Sequence, residues 1–359
     1  MIPLALPAMA DAERPYVTRL RVRGGDEGGA ASDSFLVGDA ASPTFCGRDG
    51  LLVVDGASAG EVDGDVVLVH PLEGRVDRLF RAGSTHNTLL VTERCDQLCV
   101  MCSQPPKKTH IDRFDHFEAA CLLAAPGTLI GVSGGEPTLY KDRLLTMIER
   151  VLGARDDLAF HVLTNAQHFE EEDIARLRDP LFTRVVWGVP LYAPEPPLHD
   201  RLVGKEGAFE RLEHSLERLL LAGARIELRT VVMTENAIQL GTLARRIASR
   251  LRFIEVWSLM QLENIGYARR RWPDLYFDHA ADFKPVATAL DIAALHGVAA
   301  RLFNFPLCSV PEPYRAQAPA SISDWKRKYS LACEMCSARD ACCGFFEWHP
   351  QEQMEVRPL

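Results

Sequence analysis

From residue 85 to residue 305 the chain alternates short β-branched runs with longer amphipathic stretches, and this alternation constrains the fold more than any other feature. Seven runs read as strands, at 88–92, 128–133, 159–164, 184–189, 225–232, 253–259 and 301–305. Between them, 114–125, 139–152, 170–177, 208–222, 237–251 and 281–295 have the length and spacing of helices. Strands alternating with helices predict βαβ units, a parallel sheet and right-handed crossovers. In such α/β folds ligands bind at the carboxyl ends of the strands, so the residues that follow each strand gather on one rim.

Residues 1–84 read differently. Gly and Asp turns (Gly24-Gly25-Asp26, Asp49-Gly50, Asp63-Gly64-Asp65) separate short apolar runs, which predicts a small β-rich domain. Residues 306–359 hold three early prolines, a charged link from Trp325 to Tyr329 and a cluster of cysteines. With so little regular pattern, a metal is expected to organise that segment. The expected division is therefore 1–84, 85–305 and 306–359.

The ten cysteines are not scattered. Cys95, Cys99 and Cys102 share one loop directly after the first strand of the alternating region. Cys333, Cys336, Cys342 and Cys343 lie together near the end, and Cys46, Cys121 and Cys308 stand alone. The first ten residues end in Ala-Met-Ala like a secretory signal, but two prolines interrupt them and no basic region precedes them. No window approaches the roughly 18 apolar residues of a membrane span. The expected location is cytoplasmic, where clustered thiols bind metal rather than form disulfides. A net charge of -9 argues against a dedicated nucleic-acid binder.

Structural zinc and iron-sulfur sites close their shell with four protein ligands, whereas three thiols leave one position open. Cys95, Cys99 and Cys102 thus suit a 4Fe-4S cluster with one free iron. The competing reading is zinc, with His86 or His110 as fourth ligand. The next strand runs into Gly134-Gly135-Glu136-Pro137. There two glycines permit close backbone approach, Glu136 offers a carboxylate for an ammonium group and Pro137 stiffens the exit.

Together, CxxxCxxC after one strand and GGEP after the next resemble the radical S-adenosylmethionine superfamily, over roughly residues 85–305. The resemblance implies a partial (β/α)6 barrel in which the free iron chelates S-adenosylmethionine and Glu136 with its neighbours holds the amino group. One electron then splits the sulfonium, and a 5′-deoxyadenosyl radical abstracts hydrogen from a substrate C–H bond. Cys95, Cys99 and Cys102 carry this chemistry. Gly134, Gly135, Glu136, Pro137, Asn165, Arg229 and Glu263 are the expected cofactor contacts, with Asn165 toward the ribose and Arg229 toward the carboxylate. Met101 replaces the aromatic residue that many relatives place against the adenine. The fourth strand ends in Gly188-Val-Pro-Leu-Tyr192 rather than the usual Ser-x-Asp-type turn. Arg229 is not expected to pair with Glu227, and His199-Asp200 reads as a structural pair.

In the tail, Cys333, Cys336 and Cys342 with the remote Cys308 make a four-thiolate shell for one auxiliary 4Fe-4S cluster, or for zinc. Cys343 competes with Cys342. The arrangement resembles a shortened SPASM/twitch-like auxiliary domain. The segment 92–107, above all Cys102-Ser-Gln-Pro-Pro-Lys107, and the tail from Cys336 to Phe346 resemble the radical maturases of the His-Xaa-Ser peptide system. That resemblance implies a ribosomally made precursor peptide as substrate, a partner maturase and a low-potential electron donor, with residues 1–84 as docking surface. Two other readings stand beside it: a radical enzyme acting on a small molecule or nucleotide, and a non-catalytic iron-sulfur or zinc module.

Overall fold

The computed structural model describes residues 2–22, 31–39, 42–354 and 356–359. Seven short strands come first: β1 (Ala5–Ala10), β2 (Tyr16–Arg21), β3 (Asp33–Gly38), β4 (Thr44–Gly47), β5 (Gly50–Val54), β6 (Val66–His70) and β7 (Arg75–Phe80). They close into a barrel in the order β1-β5-β4-β3-β2-β6-β7, with β7 pairing back onto β1. Closure removes the exposed edges that such short strands would otherwise leave. Alternating residues fill the barrel, among them Leu6, Ala8, Phe45, Leu52, Val54 and Val67. The signal-like N-terminal stretch is its first strand. Of the expected turns, Gly50 and Gly64 occupy the left-handed region as turn glycines do, while Gly24-Gly25-Asp26 lies outside the described residues.

The second sheet has seven parallel strands in sequence order: β8 (Asn87–Thr92), β9 (Leu129–Gly134), β10 (Ala159–Leu163), β11 (Val185–Pro190), β12 (Arg225–Val232), β13 (Val256–Gln261) and β14 (Ala300–Phe303). The fold class is the one the alternation predicts, a parallel α/β partial barrel beside a β-rich N-terminal unit. Helices Phe114–Leu122, Lys141–Ala154, Asp173–Leu177, Ala208–Leu221, Leu240–Arg250 and Lys284–Leu295 fall where the amphipathic stretches lie. A further helix, Pro196–Val203, starts with proline in its first turn and stops at Gly204 in the left-handed region. The sixth strand begins three residues later than expected, because Leu251 to Ile254 form a turn closed by the Ile254 N–H on the Leu251 carbonyl.

Side chains on each strand alternate between two environments. On the outer face, Ile130, Val132, Phe160, Val162, Trp187, Leu228 and Trp257 are fully buried against the helices. At about 1.5–3 kcal/mol for each large side chain withdrawn from water, this face carries most of the folding drive. On the inner face, Leu90 is exposed and Ser133, His161, Leu163, Val186, Arg229 and Met260 are only half-buried. The sheet therefore presents a half-open concave surface beneath its carboxyl rim.

Beyond β14 the chain runs mostly through 3-10 turns, with one small antiparallel pair, β15 (Arg327–Lys328) and β16 (Phe345–Phe346). Ile322, Cys343 and Phe346 make a small core there. Polar bonds fasten this segment to the rest. Arg81 holds Asp324 through two 2.9 Å contacts, and Trp272 donates to Gln353 at 2.7 Å. Among the described residues no helix is long and apolar enough to cross a membrane.

Candidate active site

The three-thiol loop leaves β8 at the rim and is pinned from several sides. Its backbone N–H groups at Leu98 and Val100 donate to the carbonyls of Val203 and Leu202, the unsatisfied end of the helix Pro196–Val203. The Arg94 carbonyl accepts from Glu136 N–H at 2.7 Å and the Cys102 carbonyl from Tyr267 N–H at 2.9 Å. Contact this close demands glycine. A Cβ on Gly135 would lie 2.1 Å from the Arg94 carbonyl oxygen, and one on Gly266 would lie 2.3 Å from that of Cys102. Gly134 likewise passes over Thr92. The glycines after β9 thus seat the cysteine loop itself, whereas the sequence suggested that they admit a ligand.

Glu136 is wholly buried. Its Oε1 accepts from the Thr138 N–H at 2.8 Å and from the hydroxyls of Thr138 and Thr164, and its Oε2 from the Asn165 N–H. Burial pushes its carboxyl up while these four donors support the ionised form. The carboxylate is spent on bracing the turn after β9 against the end of β10. It caps the turn that Pro137 opens. Asn165 is likewise engaged: its Nδ2 donates to Asp96 at 2.8 Å and its Oδ1 accepts from the Gln167 N–H.

Asp96 carried no signal beyond its place between two cysteines, yet it anchors the loop. His168 lies 3.3 Å from it, Lys205 is in direct ionic contact and Asn165 completes the set. Burial raises its pKa, but these three partners overcome that and hold the carboxyl far below the usual range. Met101 is buried with Met233, Leu262 and Ala268, so it anchors the loop in apolar packing. Glu263 pairs with Lys326 at 3.2 Å. Arg229 pairs with Glu227 at 2.9 Å, against expectation, because residues two apart on a strand share a face. His199 is buried between Tyr192 and Phe209, and Asp200 accepts from Gly207 and Phe209 N–H groups.

The thiols neighbour one another electrostatically. Burial, then the nearby charges of Glu136, Asp96 and Cys102, pushes Cys95 up to about 11. Burial with Cys102 and Cys95 pushes Cys99 higher still, and burial raises Cys102. Tyr192, two residues past β11, escaped the sequence reading. Burial and then the thiol of Cys99 raise its phenol, and it packs against the same apolar cluster as Cys99. His110 stacks on Tyr140 at 3.8 Å. Among the described residues no three His, Cys, Asp or Glu side chains close on a single ion-sized point. Three soft thiols on one glycine-seated loop are the donor set an iron-sulfur cluster takes, and they fit one.

In the tail, Cys308 feels both Cys342 and Cys333. Backbone N–H groups aim at the sulfurs: Leu307 and Gly344 at Cys342, and Leu359 at Cys336. Contact from the Cys343 thiol and these two N–H donors bring Cys342 down to about 6. Cys343 is fully buried in the small core, and burial raises it. Cys121 is buried in the main core and Cys46 is exposed.

Residues 89–247 match the family model of the Radical SAM superfamily. No curated protein matches the chain. Among solved structures, Streptococcus suis SuiB bound to S-adenosylmethionine is similar at 16% identity with a TM-score of 0.51, covering 69% of this chain and 54% of that one. SuiB bound to precursor peptide SuiA is similar at 15% identity and 0.49, covering 60% and 48%. A radical SAM methyltransferase from Sphaerobacter thermophilus is similar at 16% identity and 0.46, covering 80% and 76%. The chain spans about half the length of SuiB, and at such identities the likeness shows the fold alone.

Proposed function

We propose that this chain, which carries a Radical SAM superfamily domain over residues 89–247, is an enzyme that modifies a ribosomally made peptide of the His-Xaa-Ser repeat type. The observation that carries the reading is the three-thiol loop, fixed at the rim of a half-open concave sheet. A 4Fe-4S cluster with bound S-adenosylmethionine supplies one-electron cleavage of the sulfonium and a 5′-deoxyadenosyl radical that takes hydrogen from substrate carbon.

The chain's own residues hold and shield that chemistry. Cys95, Cys99 and Cys102 are the ligands, and Asp96, Glu136, Gly135 and Gly266 fix their loop. Tyr192 shares the apolar cluster that packs against Cys99. Of the polar groups expected at the cofactor, Arg229 lies on the inner face with a side chain 21% exposed. Cluster binding needs the three thiols reduced, which a reducing compartment such as the cytoplasm provides.

Peptide specificity is supported by the likeness of segments 92–107 and 336–346 to the His-Xaa-Ser maturases. Cys308, Cys333, Cys336 and Cys342 are proposed to hold one auxiliary 4Fe-4S cluster. The Leu307 and Gly344 N–H groups aimed at its sulfur favour the Cys342 thiolate, so Cys342 is preferred over the core-bound Cys343. A precursor peptide, a partner maturase and a low-potential electron donor complete the proposed system.

The test is anaerobic reconstitution followed by S-adenosylmethionine and reductant. Release of 5′-deoxyadenosine that the C95A variant lacks, together with a mass change in a co-expressed His-Xaa-Ser peptide, supports the reading. No cleavage overturns it. Cleavage that responds only to small molecules or nucleotides moves the substrate to that class, and zinc in place of iron refutes the cluster assignment.

A further inference from the structure

We propose that the cavity between the carboxyl end of β13 and the tail is a recognition pocket for a histidine side chain of the peptide, with Gln261 accepting from its ring and Tyr276 donating to it. The inference rests on the peptide-modifying reading above.

The cavity has a volume of about 130 Å3. Gln261, the last residue of β13, shares the outer face with Trp257 and Leu259, so the cavity lies beside the concave surface and not within it. The tail contributes Phe345, Glu352 and Gln353 to its lining. Trp272 holds Gln353 at 2.7 Å and stacks on Tyr276 with ring centres 4.4 Å apart. Tyr276 in turn packs on the apolar cluster that contains Met101 and borders Cys99, which ties the pocket wall to the thiol loop. A repeat peptide could anchor one histidine here while another of its residues reaches the concave face.

A chain of hydrogen bonds fixes what the pocket offers. The Pro306 carbonyl can only accept, so the Ser309 hydroxyl donates to it at 2.7 Å and has no second hydrogen to give. His279 Nε2, 2.8 Å from that hydroxyl oxygen, must therefore donate. His279 is buried, and burial brings its pKa down to about 4, so near neutral pH the ring holds one hydrogen and Nδ1 accepts. The group beside Nδ1 is Gln261 Nε2 at 3.4 Å, which also donates to Tyr276 Oη at 3.3 Å. Both amide hydrogens are thus spent. Gln261 is 6% exposed, and no donor among the described residues meets its Oε1. Burial pushes the Tyr276 phenol up to about 12, so it keeps its hydrogen, and no acceptor among the described residues takes it. Both residues line the cavity, which therefore presents one acceptor and one donor on separate atoms. A neutral imidazole answers with one N–H and one bare nitrogen, whereas lysine and arginine have no acceptor and a serine carries both functions on a single oxygen. Phe345 and Pro306 give the ring apolar walls. Asp278 and Glu352, exposed on the same lining, make lysine the competitor to test.

The experiment measures fluorescence anisotropy of a labelled synthetic His-Xaa-Ser repeat peptide on the reconstituted protein without turnover. It is repeated with analogues carrying His→Phe or His→Lys at each repeat. The wild-type protein should bind the parent peptide about tenfold tighter than either analogue, the scale of one to two hydrogen bonds. Y276F, which keeps the ring and loses the hydroxyl, and Q261M, which loses the acceptor, should each reduce the preference over His→Phe to about threefold or less. Melting curves confirm that each variant is folded. Equal binding of parent and His→Phe analogue by wild type, or a preference undiminished in both variants, overturns the inference alone. A His→Lys analogue as tight as the parent overturns it too, by assigning the pocket to cations through Asp278 and Glu352. A wild-type protein that binds none of the peptides overturns the substrate assignment and this inference with it.

Discussion

Replacing Glu136 by glutamine separates two roles for this residue. If the carboxylate braces the turn, E136Q should cost stability; if it is free to meet a cofactor ammonium, the fold should not register the change. Glutamine keeps one acceptor oxygen. Facing Thr138 and Thr164 it can retain three donors, which leaves its NH2 group against the Asn165 N–H. One buried N–H without an acceptor costs about 1–3 kcal/mol. The three remaining bonds fall from charge-assisted to neutral strength, roughly 1 kcal/mol each. Removing a buried charge returns part of this, since burial already raises the Glu136 carboxyl. The net expectation is a loss of about 2–4 kcal/mol. With about 2–4 °C per kcal/mol for units of 150–250 residues, Tm should fall by roughly 5–15 °C. Circular dichroism melts of the reduced, cluster-free protein measure this without involving the cofactor. A melt within about 1 °C of wild type, with weakened S-adenosylmethionine binding, would return the carboxylate to the cofactor.

Other expectations follow from the same geometry. Glu227 titrates near 2 in the fold against about 4.5 outside it, so its stabilising share is complete above pH 5 and lost as pH falls through 2. Urea denaturation should show E227Q less stable by about 3 kcal/mol at pH 7, with the gap closing between pH 5 and pH 2; a gap that ignores pH refutes the coupling. In metal-free protein at pH 7, Cys342 should be alkylated ahead of Cys95 and Cys343, because it titrates near 6 whereas Cys95 is near 11 and Cys343 is buried. Peptide mapping that finds Cys343 labelled ahead of Cys342 would reverse the ligand choice. Arg81 is the main ionic link from the end of the N-terminal barrel to the tail, through both oxygens of Asp324. R81A should therefore speed proteolytic cleavage around residues 320–330 while the barrel resists, and an unchanged digestion pattern would show that the tail is held by packing alone.

The parallel sheet was legible because it rests on period: each strand exposes a β-branched outer face to a helix, and the amphipathic stretches fix where those helices lie. The thiol loop and the Gly-Gly-Glu-Pro turn were legible because each directly follows a strand, and parallel strands bring their ends to one rim. The duties of individual polar residues were less readable. Glu136 turns inward because Thr164 and Asn165, almost thirty residues away, end the adjacent strand; only register brings those donors to it. The Glu227–Arg229 pair is within reach of the sequence, since a period of two puts both residues on one face. Tyr192 left no local signal, because its place in the apolar cluster beside Cys99 follows from where β11 stops. The N-terminal barrel was read only as β-rich, since its closure depends on β7 returning to β1 and on a parallel β2–β3 pairing that no hairpin turn announces. These failures share one physical cause. Local sequence sets which face a residue occupies, whereas the partner it meets there is set by the relative slide of strands, and at this site slide decides whether a carboxylate braces the fold or serves the chemistry.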